Sequence, residues 1–205
     1  MQIACPSCGA ETVLRNPASI SYVCEYCDTT MMLVDRQWTN TGRKSRLSQG
    51  FSRFYVGAVG TLQAKSFEVL GRVRYSFGDG FWDEWYLIFE DASTSWMTED
   101  NHEFCIQSEV QQADINPNLF QVGDLLHIQE VQIQILEVGF AKCLGVEGEL
   151  PANILPNEEY AYADGSSLDG KIAVGFEFDD EQPTIFMGKW IAPQEITMHD
   201  DSLDW

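Results

Sequence analysis

Four cysteines near the N-terminus constrain the fold of this chain more than any other feature of its sequence. Cys5 and Cys8 form one Cys-x2-Cys motif, and Cys24 and Cys27 form a second one after fifteen intervening residues. Two such motifs at this spacing are typical of a zinc ribbon, in which two tight turns bring four thiolates to one tetrahedral ion. We therefore predict that residues 1–38 form a zinc ribbon.

The predicted ion is structural Zn2+ rather than a catalytic metal. Four sulfur ligands leave zinc no open coordination position for water or substrate. A redox role for the two motifs would require a βαβ context, whereas the residues between them read as short strands around a turn. Gly9 and Asp28 follow the two motifs, and both residue types accept the positive φ that such turns need. Cys105 and Cys143 have no Cys-x2-Cys partner and are interpreted as small buried side chains.

Charge is distributed very unevenly along the 205 residues. The net charge is −20, yet residues 1–53 contain six basic and four acidic side chains, and residues 54–205 contain six basic and twenty-eight acidic ones. The acidic part repels phosphate backbones, which argues against nucleic acid as a partner. The same charge attracts basic protein segments or small cations such as polyamines and metal ions, although a solvated acidic surface is the commoner explanation.

A basic segment separates the ribbon from the acidic body, and an acidic tail at residues 197–205 follows that body. We predict a linker over residues 39–53, which carry no acidic side chain and four basic ones, Arg43, Lys44, Arg46 and Arg53. The linker can dock on the acidic body, make peripheral contact with anionic lipid headgroups, or simply be solvated. We expect no transmembrane segment, because no run approaches the ~18 apolar residues of a membrane helix. Metal-bound thiolates without a signal-peptide pattern predict a cytoplasmic protein.

Residues 54–196 read as an all-β domain. Apolar and polar residues alternate in segments that are separated by Gly, Asp, Asn and Pro. Residues 69–77 lead through a Gly-Asp-Gly turn into residues 81–90, and this pattern predicts a hairpin. A further strand near residues 95–97 extends the hairpin into a three-stranded meander.

An internal repeat at an offset of 66 residues divides the domain into two candidate halves, 54–115 and 116–196. The matching positions are Val56, Gly57, Val59, Leu62, Gln63, Phe67, Val69 and Leu70 in the first half and Val122, Gly123, Leu125, Ile128, Gln129, Ile133, Ile135 and Leu136 in the second. Alternating strands match one another easily, so the Val-Gly pair and the shared Gln provide most of the evidence for the repeat. If the repeat is a duplication, the body consists of two similar small antiparallel barrels or sheets.

The densest polar and aromatic cluster surrounds the predicted hairpin and supplies a candidate binding surface. Its residues are Arg72, Arg74, Trp82, Glu84, Trp85 and Trp96. Asp83 and Glu84 point to opposite faces of a strand, so they cannot act as a catalytic acid and base by themselves. We expect instead a cross-strand ion pair between Glu84 and Arg72 or Arg74. Three scattered histidines, with no phosphate-binding, dinucleotide, GxSxG or HExxH motif, favour a protein that is not an enzyme.

Three short motifs carry a resemblance to a known family: Gly-Arg-Val-Arg-Tyr at 71–75, Trp-Asp-Glu-Trp-Tyr-Leu at 82–87 and Gly-Glu-Leu-Pro at 148–151. With them the chain resembles, over about residues 54–192, the bacterial family catalogued as domain of unknown function four-one-seven-eight. Residues 92–97 depart from the Gly-containing turn that this family is expected to have there. The resemblance implies an N-terminal zinc ribbon and genes that lie near phage-shock-type membrane-stress proteins and polyamine-synthase-like enzymes. It implies no activity.

Three functional hypotheses follow. The leading one is a non-enzymatic zinc-ribbon adaptor or scaffold in a bacterial membrane-stress or polyamine-linked system, with Trp82, Trp85 and Trp96 as anchors for a protein partner. The second is a small-molecule sensor or enzyme with a pocket between the two β halves, lined by Glu84 and the two arginines. The third is nucleic-acid binding through the ribbon and the basic linker.

Overall fold

The computed structural model describes residues 1–48, 50, 52–78, 80–111, 115, 120–178 and 183–199. Its regular structure consists of sixteen β-strands and one short 3-10 turn, Pro193–Glu195. The predicted all-β fold class is therefore confirmed. No helix within these described ranges has the length and apolar character needed to cross a bilayer.

The N-terminal ribbon contains five short strands, β1 (Gln2–Ala4), β2 (Glu11–Val13), β3 (Ser21–Val23), β4 (Thr29–Val34) and β5 (Gln37–Lys44). Strands β1 and β2 form a hairpin, and β3, β4 and β5 form an antiparallel sheet. Strand β5 extends into the range predicted as a linker, so the ribbon is longer than its predicted end at residue 38. The reason is a two-residue turn at Asp35 and Arg36, whose φ angles of 49° and 65° reverse the chain there.

The body contains the remaining strands. They are β6 (Val59–Leu62), β7 (Lys65–Phe77), β8 (Gly80–Phe89), β9 (Thr94–Asp100), β10 (Glu103–Val110), β11 (Leu125–Ile128), β12 (Val131–Leu150), β13 (Glu159–Ser167), β14 (Ala173–Phe178), β15 (Thr184–Ile191) and β16 (Ile196–Met198). Eight of these strands pair side by side in the order β7-β8-β9-β10-β15-β14-β13-β12, and β12 pairs again with β7. All the pairings are antiparallel, so the body is a closed eight-stranded antiparallel barrel.

The two candidate halves follow the same backbone path. Gln63 and Ala64 form the turn between β6 and β7 with φ angles of 50° and 66°, and Gln129 and Glu130 form the turn between β11 and β12 with φ angles of 46° and 67°. A β-bulge interrupts β7 after Val69 and β12 after Ile135, again 66 positions apart. Each half therefore contributes a short hairpin followed by a four-stranded sheet. Pairing of β7 with β12 and of β10 with β15 joins the two sheets into one barrel rather than two.

Strand pairing also identifies equivalent positions in the two halves. Val73 pairs with Glu84, and the equivalent residue Gly139 pairs with Tyr162, so Glu84 and Tyr162 are equivalent. The same procedure relates Tyr86 to Asp164, Ile88 to Ser166, and Trp96 to Gly175. Because side chains alternate along a strand, these four positions in each half face the interior of the barrel.

Apolar clusters cover the outer face of each half. One cluster contains Phe54, Phe67, Trp85, Leu87 and Met97, which pack with Leu62 of β6 and Ile196 of β16. The other contains Ile128, Ile133, Ile135, Phe176 and Ile185. The outer faces therefore carry two hydrophobic clusters, and a third cluster, which includes Val73, Tyr75 and Tyr86, fills part of the barrel interior.

A buried carboxylate fixes the ribbon to one end of the barrel. Glu149 of β12 accepts hydrogen bonds from the backbone N–H groups of Arg15 (2.7 Å) and Asn16 (3.2 Å) and from the hydroxyl of Ser19 (3.0 Å). Asn16 also donates its side-chain N–H to the hydroxyl of Tyr86 at 2.7 Å. Strand β3 pairs with the last residues of β12, so the ribbon sheet continues the barrel sheet.

Candidate functional site

The four predicted metal ligands lie together. The sulfur atoms of Cys5, Cys8, Cys24 and Cys27 are all within 4.8 Å of one another. The Sγ atoms of Cys5 and Cys27, and those of Cys8 and Cys24, are 3.7 Å apart. A tetrahedral ion with metal–sulfur bonds of about 2.3 Å needs sulfurs about 3.8 Å apart. The cluster therefore has the size and the donor set of a single tetrahedral metal site.

Two similar turns hold these cysteines. The N–H of Gly9 donates to the carbonyl of Cys5 at 2.8 Å, and the N–H of Asp28 donates to the carbonyl of Cys24 at 2.9 Å. Gly9 has a φ of 77° and Asp28 a φ of 59°, as the sequence predicted for the residue after each motif. Four thiolates that point at one centre leave no position for substrate, so the geometry is that of a closed metal site.

The six residues of the candidate binding surface divide between the two faces of the barrel wall. Arg72, Arg74 and Trp85 face outward, and all three are buried. Trp82, Glu84 and Trp96 line the interior of the barrel. The structure therefore does not unite them into one site.

The expected ion pair between Glu84 and the arginines is wrong. Arg72 and Arg74 both bind Asp83, with four N–O distances of 2.7 to 2.9 Å. The reason is the strand register, which pairs Arg74 with Asp83 and Val73 with Glu84, so that Glu84 lies on the opposite face from both arginines. Arg72 is also 3.3 Å from Glu147.

This outward ion network is structural. Arg72, Arg74 and Asp83 are only 3%, 6% and 4% exposed. The guanidinium groups also lie over aromatic rings, that of Arg72 at 4.7 Å from Trp85 and that of Arg74 at 4.2 Å from Phe81. The charged groups of this network therefore stabilise one another within the barrel wall.

The barrel interior contains a cavity of about 440 Å3. Both halves contribute to its wall, for example Trp82 and Glu84 from β8 and Tyr162 and Asp164 from β13. Its size lies within the range of about 300 to 1,000 Å3 that is usual for small-molecule sites. The second hypothesis placed a pocket between the two halves, and the cavity has that location, but its wall contains Glu84 without either arginine.

The cavity exists because the two halves place side chains of different size at equivalent positions. In the first half the interior is filled by Ile88 and by the rings of Tyr86 and Trp96, whose centroids are 5.0 Å apart. The equivalent residues of the second half are Ser166, Asp164 and Gly175. Close packing in one half and small or polar residues in the other leave the space open.

Acidic and aromatic side chains dominate the cavity wall. The acidic ones are Glu84, Asp100, Glu137, Asp164 and Glu177, and the aromatic ones are Tyr75, Phe77, Trp82, Trp96, Tyr160, Tyr162, Phe186 and Trp190. Among the described residues that line the cavity, none is Lys, Arg or His. The wall therefore concentrates acidic side chains, and its described lining residues include no basic one.

Two of these carboxyl groups have strongly raised pKa values. Burial, followed by the negative charges of Asp164 and Asp83, raises the pKa of Glu84 to about 7, although a hydrogen bond from the indole N–H of Trp82 at 2.9 Å opposes this. The Asp164 side chain is exposed to solvent, although the barrel wall surrounds it on several sides. Burial of this kind and the charge of Glu137 raise the pKa of Asp164 to about 6.

Most of the cavity residues were missed by sequence reasoning. Glu137, Asp164, Glu177 and Tyr162 were not singled out, and Tyr162 donates to Glu137 at 2.6 Å. A usable signal was present in β13, where Tyr160, Tyr162, Asp164 and Ser166 alternate on one face. An acidic residue on the aromatic face of a strand indicates a polar interior.

The fold and its two sites define a protein class: an eight-stranded antiparallel barrel with an interior cavity and a four-cysteine ribbon fixed to one end. Residues 55–193 match the model of the family described as Domain of unknown function (DUF4178), and the chain belongs to this family. The matched range includes all eight barrel strands and excludes the ribbon. No curated protein and no solved structure matches this chain.

Proposed function

We propose that this protein is a non-enzymatic small-molecule-binding module, a sensor in which the barrel cavity receives the ligand and a zinc-loaded ribbon stabilises one end of the barrel. The observation that carries the proposal is the cavity between the two halves, with aromatic walls and five carboxyl groups. Small-molecule sites are typically concave and largely apolar, with a few polar groups that fix the ligand.

The cavity supports a sensor better than the adaptor that was our leading hypothesis. That hypothesis used Trp82, Trp85 and Trp96 as exposed anchors. Trp85 is only 1% exposed, and Trp82 and Trp96 line the cavity. A protein partner that recognises the loaded barrel stays a prediction, and it would use a different surface.

The positions of the basic residues do not favour nucleic-acid binding. Arg43 binds Glu158 at 2.9 Å and the carbonyl of Pro156 at 2.8 Å. Arg53 donates to the carbonyls of Pro193 and Ile196. Two of the four basic residues in the predicted linker thus bind the acidic body, in agreement with the docking alternative.

We further propose Zn2+ as the ion of the four-cysteine cluster and the bacterial cytoplasm as the compartment. Sulfur-only tetrahedral sites suit zinc, and reduced thiolates require a reducing compartment. The family resemblance adds a membrane-stress or polyamine-linked system as the biological setting. Metal analysis of the purified full chain tests the ion: about one zinc per chain is expected, and iron or no metal would contradict it.

Native mass spectrometry of the full chain, purified from its own host, tests the sensor proposal. We expect a small molecule to remain bound under non-denaturing conditions and to be released unchanged on denaturation. A matched variant, Gly175→Trp, fills the cavity with the side chain that the first half has at the equivalent position, and it should purify without the molecule. Ligand recovery that is equal in both proteins would overturn the proposal, and conversion of the molecule during incubation would favour an enzyme.

A further inference from the structure

We propose that the cavity ligand is a flexible organic cation with two or more ammonium groups. This inference rests on the proposed function and names its ligand class. Three features of the described residues support it. Acidic side chains are distributed around the cavity wall, the nearby arginines bind Asp83 on the outer face, and aromatic rings lie between the carboxyl groups.

The carboxyl groups surround the cavity instead of converging on one point. Five different strands supply them: β8 Glu84, β9 Asp100, β12 Glu137, β13 Asp164 and β14 Glu177. An anionic ligand would add to their mutual repulsion, and a neutral one would leave it in place. A ligand with several separated positive charges relieves the repulsion at several points of the wall at once.

The arginines nearest to the cavity cannot neutralise it. Arg72 and Arg74 lie on the cavity hairpin but point outward, where Asp83 binds both. Turning either guanidinium inward would leave Asp83 buried with a single partner, and breaking a buried pair in this way is strongly destabilising. Neither arginine can therefore supply positive charge to the cavity, whereas a cationic ligand can.

Aromatic rings between the carboxyl groups favour an organic cation over a hydrated metal ion. The Trp82 ring contacts both Tyr75 and Tyr162, with centroid distances of 5.3 Å and 5.6 Å. Such ring faces attract ammonium groups and pack against the methylene groups between them. Mg2+ instead prefers oxygen ligands in octahedral geometry and retains its water, so indole and phenol rings offer it little.

Calorimetric titration of the metal-loaded full chain with spermidine, a linear triamine, tests this inference. We expect saturable binding of one spermidine per chain. N1,N8-diacetylspermidine has a similar backbone but lacks both terminal charges, and it should bind at least tenfold more weakly. Mg2+ at the same concentration should not compete.

Variants separate the cavity from the acidic surface. Glu84→Gln and Asp164→Asn should each weaken spermidine binding by about tenfold, whereas Glu130→Gln at an exposed turn should change it less than twofold. Gly175→Trp leaves the net charge unchanged and should abolish saturable binding. Ser166→Ile is a second filling variant for the case that Gly175→Trp does not fold, as judged by circular dichroism.

The outcomes distinguish this inference from the sensor proposal. Spermidine binding that persists in both filling variants, or that equals the binding of the diacetylated form, overturns the inference. If a neutral or anionic molecule is recovered from the native protein and Gly175→Trp excludes it, the sensor proposal stands and the inference of a cationic ligand is wrong. If spermidine does not bind and no recovered molecule depends on Gly175, both proposals fail.

Discussion

The two halves of the barrel share a backbone path and use it for different purposes. The first half fills part of its interior with Tyr86 and Trp96, and it places Arg72, Arg74 and Asp83 on the outer face, where they pair with one another. The second half has Asp164 and Gly175 at the equivalent interior positions. One half therefore has an interior built for packing, and the other has an interior that can receive a ligand.

The outer faces of the two halves also carry different residues at equivalent positions. The second-half equivalents of the ion-paired residues Arg72, Arg74 and Asp83 are Val138, Phe140 and Ala161. Val138 is 44% and Phe140 73% exposed, whereas the two arginines are buried. At these three equivalent positions the outer face is charged in the first half and apolar in the second. This difference shows how a repeated sheet can change the character of one face without a change of backbone topology.

The largest expected effect comes from removing the metal, which tests whether the first half depends on the ribbon. Structural zinc contributes about 10 to 16 kcal/mol of apparent binding free energy in small zinc domains, and much of this free energy drives folding. In Cys24→Ser, residues 1–44 should lose hydrogen-exchange protection, followed by the part of the first half around Tyr86, which Asn16 contacts. Strands β13 and β14 should keep their protection. Cys105→Ala, outside the cluster, is the control, and full ribbon protection in Cys24→Ser would contradict the prediction.

A second effect concerns the outer ion network of Arg72, Arg74 and Asp83, whose described equivalents in the second half are uncharged. Asp83→Asn leaves two buried guanidinium groups without their carboxylate, and breaking such a network costs about 3 to 5 kcal/mol. The matched control is Ala161→Ser at the equivalent position of the second half, which should change the free energy of unfolding by about 0.5 kcal/mol or less. Urea denaturation monitored by tryptophan fluorescence measures both. Equal free energies of unfolding for the two variants would contradict the predicted difference between the outer faces.

The interior packing should show a smaller asymmetry. Trp96 is half-buried against Tyr86, so Trp96→Ala should cost about 2 to 3 kcal/mol, somewhat less than a fully buried ring. At the equivalent position, the Cβ of Gly175→Ala would meet only Gln107 Oε1 at 3.4 Å and Asp164 Oδ1 at 3.5 Å. These are ordinary contacts, so this variant should change stability by about 0.5 kcal/mol or less. Comparable losses in the two variants would mean that the second half is packed as tightly as the first.

The metal site and the fold class were predictable because their signals are local. Two Cys-x2-Cys motifs specify the ligands without any long-range information, and alternation specifies strands. The ribbon boundary was missed because the turn at Asp35 and Arg36 uses two residues with positive φ and no glycine. Turn chemistry of this kind is not readable from residue type alone.

A pocket between the two halves was one of the hypotheses, but most of its lining was not predictable, because the lining depends on which residues of the two halves become equivalent. The offset of 66 holds for the first two strands of each half, but Glu84 and Tyr162 are 78 positions apart. The connection between β12 and β13 is longer than the one between β7 and β8. A constant offset would align Asp83 with Glu149, which anchors the ribbon, and would hide the relation of Tyr86 to Asp164. Only strand pairing shows that the second half has the small and polar residues at the interior positions.

The smallest effect is a pH dependence of the ligand-free protein, which comes from the cavity. The pKa of Glu84 rises from 4.5 to about 7 in the folded state, chiefly through burial and then through the charges of Asp164 and Asp83, against the hydrogen bond from Trp82. A carboxyl group with a raised pKa binds its proton more tightly when the protein is folded. Its contribution to stability is therefore complete below about pH 4.5 and is lost as the pH rises through 7.

Glu84→Gln should therefore match the parent protein near pH 4.5 and exceed it in stability by about 1 to 2 kcal/mol above pH 7. One pKa unit corresponds to about 1.4 kcal/mol, and cavity water screens part of the effect. Thermal melts from pH 4 to 8, without added amines, measure the difference, and Glu130→Gln should follow the parent curve throughout. A difference that is independent of pH would show that Glu84 is held in place for packing and is not an uncompensated charge. The negative charge of the cavity would then come from Asp100, Glu137, Asp164 and Glu177, without a contribution from Glu84.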